Sequence, residues 1–343
     1  HFLAAKSVGI RVEAFSLGYP PTALRKQVGE TEYRLSWIPF GGYVKMAGMI
    51  DEGLEGESSL TGAPWEFSSK NTGQKLWVIT AGVLMNLLLA ILIYTGITAA
   101  RGVAEPEGTF IGAVSAGDPA DEAGLQAGDR ILVINGVTVT TWEEMVDEIY
   151  AQPEEELLIS YEREREVHDL ALTSLRRMAE VDGEIREVGL IGINPQLTYR
   201  PASLGEIVTS GFIGTAWVVK MVGTSIGMLL SGQASVRDLG GPMLIAKMSG
   251  ESAKQGLTAF LGFIAFVSVN IGCLNLLPVP ALDGGHALII LTEGALRREL
   301  PVKFKLAIQQ VGMVLLFALI VFIIINDAER IFGFGWIKEL FGR

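Results

Sequence analysis

The residues with the most chemical capacity in this chain are few. Asp283 stands in the run Asn-Leu-Leu-Pro-Val-Pro-Ala-Leu-Asp-Gly-Gly-His, residues 275–286, directly after a long uncharged apolar stretch. An ionisable side chain at membrane depth is costly and marks a functional site with a partner. A carboxylate so placed can pair with a base, carry protons or ions, or ligate a metal. Three histidines are available to meet it. His1 opens "HFLAAKSVGI", which reads as the tail of a helix closed by Gly9. His168 lies in a charged strand-like stretch and is expected to be solvated. His286 follows the glycine pair and is expected at most to support its neighbours. The single cysteine, Cys273, lies inside an apolar window, so an internal disulfide and a cysteine-based metal site are excluded.

The elements that must position these residues are membrane-grade. Of 343 residues 49% are hydrophobic, and the mean hydropathy is +0.39. That is too apolar for an ordinary soluble domain. Three uncharged windows, 76–100, 255–282 and 306–326, are long enough to cross a hydrocarbon core of about 30 Å. A fourth stretch, 204–236, is interrupted by Lys220 and rich in Gly and Ser, and reads as interfacial or amphipathic. The net charge of −11 is concentrated between Arg101 and Glu206, which argues against nucleic acid as a partner. The chain starts at His1 rather than Met, and is read as lacking its true N-terminus.

Between these windows lie two other kinds of segment. Residues 11–50 carry strand-like runs, "RVEAFSLG" and "EYRLSWIP", then "FGGYVKMAG", where Gly41 and Gly42 suggest a bend or a close backbone approach. Residues 51–75 form an acidic, Gly- and Ser-rich linker. Residues 105–195 read as a compact α+β unit. In it "ILVINGVTV" is a hairpin turned at Asn135-Gly136, and "TTWEEMVDEIY" is a helix capped by Thr140 or Thr141. With "AGLQAGD" ahead of them, these residues resemble a PDZ domain. The resemblance implies a groove that takes an extended peptide or a C-terminus as an added strand. The groove is expected between the strand around Phe110, Ile111 and Gly112 and the helix bearing Trp142 and Met145.

"HFLAAK" at the start and "NLLPVPALDGG" far downstream together resemble the site-2 protease family of intramembrane zinc metalloproteases, in the bacterial RseP-like branch with a single PDZ domain. That resemblance implies a His-Glu-x-x-His helix whose second histidine is His1, with the first histidine and the catalytic glutamate upstream of this sequence. It implies Zn2+ as cofactor, with His1 and Asp283 as ligands. Asn275, Pro278 and Pro280 match the remainder of the second motif. The prolines cannot continue a helix, and such irregular backbone is tolerated at membrane depth where it lines a wet cavity. Asn275 is placed either to hold substrate backbone or to cap the broken helix end. Gly41, Gly42 and Tyr43 resemble the family's membrane-dipping β-loop, which offers an edge to an unwound substrate. "AGVLMNLLLA", 81–90, matches the family's second span, except that Val83 stands where a proline is usual; Asn86 is kept. "LGGPMLIAK", 239–247, resembles the segment before the third span.

The expected fold is therefore a polytopic α-helical membrane protein with a membrane-associated β-hairpin region and one inserted α+β PDZ domain. The expected partners are transmembrane protein substrates, such as anti-sigma factors and signal-peptide remnants, and the lipid bilayer. Basic residues cluster in the short loops (Arg297, Arg298, Lys303, Lys305), so those loops are expected on the cytoplasmic side of a bacterial inner membrane, with the acidic unit outside. This topology makes a demand. A full crossing by 207–236 would put Asp283 across the bilayer from His1, so the zinc reading requires that stretch to be interfacial or re-entrant, as Lys220 and its glycines permit. Two rival readings are a catalytically inactive scaffold binding peptides through its PDZ unit, and an ion-coupled transporter using Asp283. The latter predicts inverted repeats, and the two halves show no similarity.

Overall fold

The computed structural model describes residues 1–49, 61–181, 184–235 and 240–332. The acidic part of the expected linker, 51–60, and Leu239 lie outside the described residues. The chain divides into two compact units, His1–Ile97 with Val208–Arg343, and Thr98–Ile207.

The first unit begins with a short helix α1 (Phe2–Ser7), ended by Gly9 at φ +68°. Strands β1 (Val12–Val28) and β2 (Thr31–Met46) follow, joined through Gly29 at φ +62°. These two long strands fold back on themselves. Residues 14–17 of β1 pair with 42–45 of β2 on one edge and with 32–35 on the other, while 22–28 pair with 31–36. The result is four short strand segments in the order 42–46, 12–17, 31–36, 22–28. Gly42 permits the first pairing, since a Cβ there would lie 3.4 Å from the Ser16 carbonyl carbon and closer still to its oxygen.

Helix α2 (Thr72–Arg101) starts four residues before the apolar window because its polar first turn is capped. Asn71 Oδ1 accepts the Gln74 N–H at 2.9 Å, and the Asn71 N–H donates back to the Gln74 side chain at 3.3 Å. Helix α7 (Leu257–Leu276) ends where Pro278 and Pro280 forbid continuation. Helix α8 (Asp283–Leu296) follows, and α9 (Val302–Phe332) closes the described chain.

Helices α2 and α7 run antiparallel. Ser268 Oγ donates to the Asn86 carbonyl at 3.0 Å, and a Cβ on Gly272 would sit 3.6 Å from the Val83 carbonyl. Later residues of α7 thus meet earlier residues of α2. Val83 is itself 5% exposed, a packing residue in an unbroken helix.

Within the stretch 204–236, whose last residue lies outside the described residues, Leu204–Leu230 form helix α5, 27 residues long and, with α2, α7 and α9, one of four helices of spanning length and composition among the described residues. The glycines that suggested an irregular interfacial segment serve close helix packing instead. A Cβ on Gly211 would lie 2.5 Å from the Ile91 carbonyl, and one on Gly214 would lie 3.2 Å from the Tyr94 ring. Small residues let helix backbones approach where apolar burial gives no drive. Helix α6 (Pro242–Lys254) makes the connection from α5 to α7.

In the second unit the larger sheet has the order β10-β3-β4-β6-β7, with β5 paired to β4. Its strands are β3 (Val103–Val114), β4 (Arg130–Ile134), β5 (Val137–Thr138), β6 (Glu156–Arg163), β7 (Glu166–Thr173) and β10 (Ile193–Arg200). A short helix α3 (Pro119–Glu122), a helix α4 (Trp142–Tyr150) and a separate hairpin of β8 (Leu175–Val181) and β9 (Glu184–Leu190) complete it. Asn135 at φ +48° and Gly136 at φ +84° turn the β4–β5 hairpin. Thr141 caps α4 in a reciprocal box with Glu144. The core gathers Ile111, Ile131, Ile134, Met145, Leu157 and Ile159.

Candidate metal centre and peptide groove

His1 sits directly ahead of α1, and its carbonyl accepts the Ala5 N–H at 2.8 Å, so helical hydrogen bonding begins at His1 itself. Its Nδ1 lies 2.8 Å from the Val78 carbonyl of α2. That contact requires the proton on Nδ1 and leaves the Nε2 lone pair free, the usual way a second partner fixes the tautomer of a ligating imidazole. Nε2 faces Asp283 Oδ2 at 3.5 Å, with the two side chains 30% and 23% exposed.

Asp283 is the first residue of α8, where a carboxylate is stabilised by the helix dipole. The approach to it is sterically tight. Ala281 adopts φ +76°. A Cβ on Gly284 would lie 2.6 Å from the Leu276 carbonyl carbon, and one on Gly285 would lie 2.8 Å from that of Val279. The glycine pair therefore lets the first turn of α8 rest on the backbone of the proline segment. On the far side Gly312 of α9 packs against Pro280, its would-be Cβ 2.6 Å from the Pro280 carbonyl. Pro278 and Pro280 thus shape the bend that aims Asp283.

The spacing of the His1–Asp283 pair suits two ligands of one metal ion. Two protein donors on one tetrahedral zinc, each about 2.0–2.2 Å from it, stand about 3.4 Å apart, which is close to the His1–Asp283 separation. Among the described residues no third His, Cys, Asp or Glu joins this pair in a group able to hold a metal.

His1 and Asp283 face a cavity of about 860 Å³ whose wall also includes Gly41, Gly42, Tyr43 and His286. Residues 42–46 pair with β1 along one edge, and their other edge has no strand partner among the described residues. Tyr43 is held by Arg34, whose Nη1 donates to the phenol oxygen at 2.9 Å. Asn275, Pro278 and Pro280 do not line this cavity. His286, one helical turn beyond Asp283, does. Its ring lies 3.3 Å from Gln309 Nε2 of α9. The i, i+3 spacing of Asp283 and His286 on a helix is the signal that placed both on one face.

In the second unit the expected groove strand is displaced. β3 is bordered by β10 on one side and β4 on the other, so it has no free edge. Ile111 and Met145 are fully buried in the core, Gly112 packs under Gln196, and the Phe110 ring is covered by Arg130 at 5.5 Å. The cavity beside α4, about 290 Å³, is bounded by Trp142, Val146 and Ile149 on the helix and by residues 190–195 on the other wall. The strand edge next to it belongs to β10. Phe110, Ile111 and Gly112 are thus the inner neighbour of the groove strand. Of the expected groove residues, Trp142 alone lines the cavity. His168 is exposed on β7, its ring tilted against that of Tyr161 at 5.5 Å.

These features define a class: an apolar helical protein with a histidine–aspartate pair facing a wide cavity beside an open strand edge. The model of Peptidase family M50 matches residues 1–319, and the chain belongs to that family, the site-2 proteases. A predicted zinc metalloprotease of Clostridium perfringens is 35% identical over 95% of this chain and 92% of its own length. Zinc metalloprotease RasP of Bacillus licheniformis is 28% identical over 97% of this chain and 95% of its own. Among solved structures, the PDZ domain of an SdrC-like protein from Listeria monocytogenes covers 26% of this chain and 87% of its own, at 22% identity and a TM-score of 0.22.

Proposed function

We propose that this protein is a zinc-dependent intramembrane endopeptidase that cuts single-span membrane proteins, among them anti-sigma factors and signal-peptide remnants, within a bacterial inner membrane. The observation that carries the reading is the His1 Nε2–Asp283 Oδ2 separation of 3.5 Å with Nδ1 committed to the Val78 carbonyl. His1 and Asp283 would hold the ion, with a further histidine and the glutamate base supplied by a helical turn ahead of His1. When bound, zinc supplies Lewis acidity for water activation and carbonyl polarisation.

The chain's own residues prepare the substrate. A membrane-spanning helix must unwind before its peptide bond is accessible, and the free edge of 42–46 offers backbone groups to an extended segment. Gly42 lets this strand lie close against β1, and Tyr43 is braced beside it by Arg34. Asp283 is held by the Gly284–Gly285 contact on the proline segment, which keeps the carboxylate aimed at His1. The PDZ unit, outside the membrane in this reading, excludes substrates whose outer domain is still attached.

The test is zinc content by mass spectrometry together with cleavage of a single-span reporter in detergent, for the wild-type protein and Asp283→Asn. About one zinc per chain, lost with cleavage in Asp283→Asn, is the expected result. A metal-free wild-type protein that still binds peptides would instead favour an inactive scaffold.

A further inference from the structure

The peptide groove of the second unit carries a charge pattern that selects its ligand. Its base is apolar, formed by Trp142, Val146 and Ile149 of α4 against residues 190–195. Its strand edge is β10, which among the described residues has no strand partner on the side away from β3. A chain added along β10 would end its run at the loop of Leu190–Gly192, which turns at Gly192 with φ +82°. A free C-terminal carboxylate captured at such a loop needs backbone N–H donors and a positive field around them.

The field here has the opposite sign. Asp118 lines the cavity at that end, and its carboxyl carbon would lie only 2.7 Å from a Cβ built on Gly192. Asp118 stands in the cap position of α3, yet its side chain makes no cap hydrogen bond. The carboxylate is therefore not consumed by its own helix and lies against the loop instead. The rim repeats the sign. On a helix of 3.6 residues per turn, Glu143 and Asp147 fall on the solvent side of the Trp142–Val146–Tyr150 stripe, and both are exposed.

Among the described residues no lysine or arginine lines the cavity. Several arginines of the unit are engaged elsewhere: Arg163 with Asp129, Arg176 with Glu154 and Glu187, and Arg200 with Glu105 and Glu206. The unit also holds more than half of the chain's Asp and Glu but under a third of its Lys and Arg.

We infer that this groove takes an extended cationic segment of a partner polypeptide, with a Lys or Arg at the Asp118 end, and disfavours a free C-terminal carboxylate there. The segment is engaged internally, so the partner needs no newly exposed terminus. This rests on the protease reading only for the partner's identity as a substrate; the groove chemistry stands apart from the metal.

The test uses the full chain in detergent at low salt and fluorescently labelled extended apolar peptides carrying one lysine near the C-terminal end. One peptide ends in an amide and its sibling in a free acid, and binding is read by anisotropy with and without a zinc chelator. The amidated peptide is expected to bind at least tenfold more tightly than the free acid, with affinity falling as salt rises. A lysine-to-glutamate amide should fail to bind. In Asp118→Asn the preference for the amide should shrink to a few-fold while the apolar contacts keep binding measurable. Equal or tighter binding of the free acid, or no binding of any peptide, would overturn the inference. Loss of reporter cleavage on chelation with peptide selectivity unchanged separates the groove from the metal centre. Selectivity lost while cleavage persists would sink the groove reading alone.

Discussion

Gly82 has no side chain because the His1 imidazole occupies the space one would need. A Cβ built on Gly82 would lie 2.8 Å from His1 Cε1 and closer still to Nε2, the atom that faces Asp283. Helix α2 therefore acts on the ring twice, through the Val78 carbonyl that fixes its tautomer and through the gap at Gly82 that admits it.

Gly82→Ala is accordingly expected to push Nε2 off its line to Asp283. Bound zinc should fall well below one per chain and reporter cleavage by about 100-fold or more, since a misplacement of about 1 Å at a reacting centre costs that much. Gly96→Ala in the same helix is the control. Nothing lies within 4 Å of a Cβ there, so the better helix former should leave zinc content intact and unfolding unchanged or slightly delayed.

Ala281 occupies the left-handed region at φ +76°, two residues before Asp283. For an L-residue with a Cβ this costs about 1–2 kcal/mol. Ala281→Gly is expected to raise the thermal midpoint in detergent slightly or leave it unchanged, because relief of strain is offset by a more flexible unfolded chain. Ala281→Val, β-branched and less tolerant of positive φ, should lower it and reduce zinc content with it. A valine variant indistinguishable from wild type in both readouts would contradict the strain assignment.

These positions show what was legible from sequence. Spacing alone places Asp283 after a proline-broken span and His1 at a helix tail, because helix termination and ionisable residues are local signals. The partnership of His1 with Gly82 and Val78 is not local: it joins residues far apart in the chain that become neighbours only when α1 packs on α2. The same limit displaced the groove strand. Phe110–Gly112 alternates like an edge strand, yet β10 returns to cover it, pairing Pro195 with Ile111, and nothing near Phe110 announces that. For α5, the glycines were visible but their use was not. Gly211 and Gly214 carry one meaning in an isolated interfacial segment and another against Ile91 and Tyr94.

Glu66 supplies a pH dependence. It is 4% exposed, and its carboxylate accepts hydrogen bonds from the Thr61 hydroxyl and N–H, the Gly62 N–H and the Ser68 hydroxyl. These donors, the Thr61 hydroxyl foremost, hold its pKa below the usual carboxylate value. A carboxyl depressed on folding contributes stability in full above its unfolded pKa of about 4.3, and loses it as pH falls through the lower folded value. The gap in unfolding midpoint between wild type and Glu66→Gln should therefore be widest near neutrality and close below about pH 4. A gap that stays constant from pH 7 to pH 3.5 would mean that the carboxylate charge contributes nothing there.

Asp327 on α9 is fully buried, and its two oxygens accept the Gly241 and Leu244 N–H groups, each at 3.1 Å, at the start of α6. A helix start leaves backbone donors without partners. Here they are met by a carboxylate from another helix instead of a local cap, with Gly241 as cap residue and no side chain of its own to serve. Gly241 is also required sterically, since a Cβ there would lie 2.7 Å from Asp327 Oδ2. Removing the carboxylate leaves the buried Gly241 donor and the part-buried Leu244 donor unmet, which costs about 1–3 kcal/mol. Asp327→Ala should therefore lower the unfolding midpoint in detergent and speed proteolysis at α6, with zinc content retained because α6 holds neither His1 nor Asp283. Asp327→Asn keeps one acceptor oxygen and should fall between. If Asp327→Ala lost zinc as readily as Asp283→Asn at an unchanged midpoint, Asp327 would belong to the metal centre instead of the α6–α9 joint.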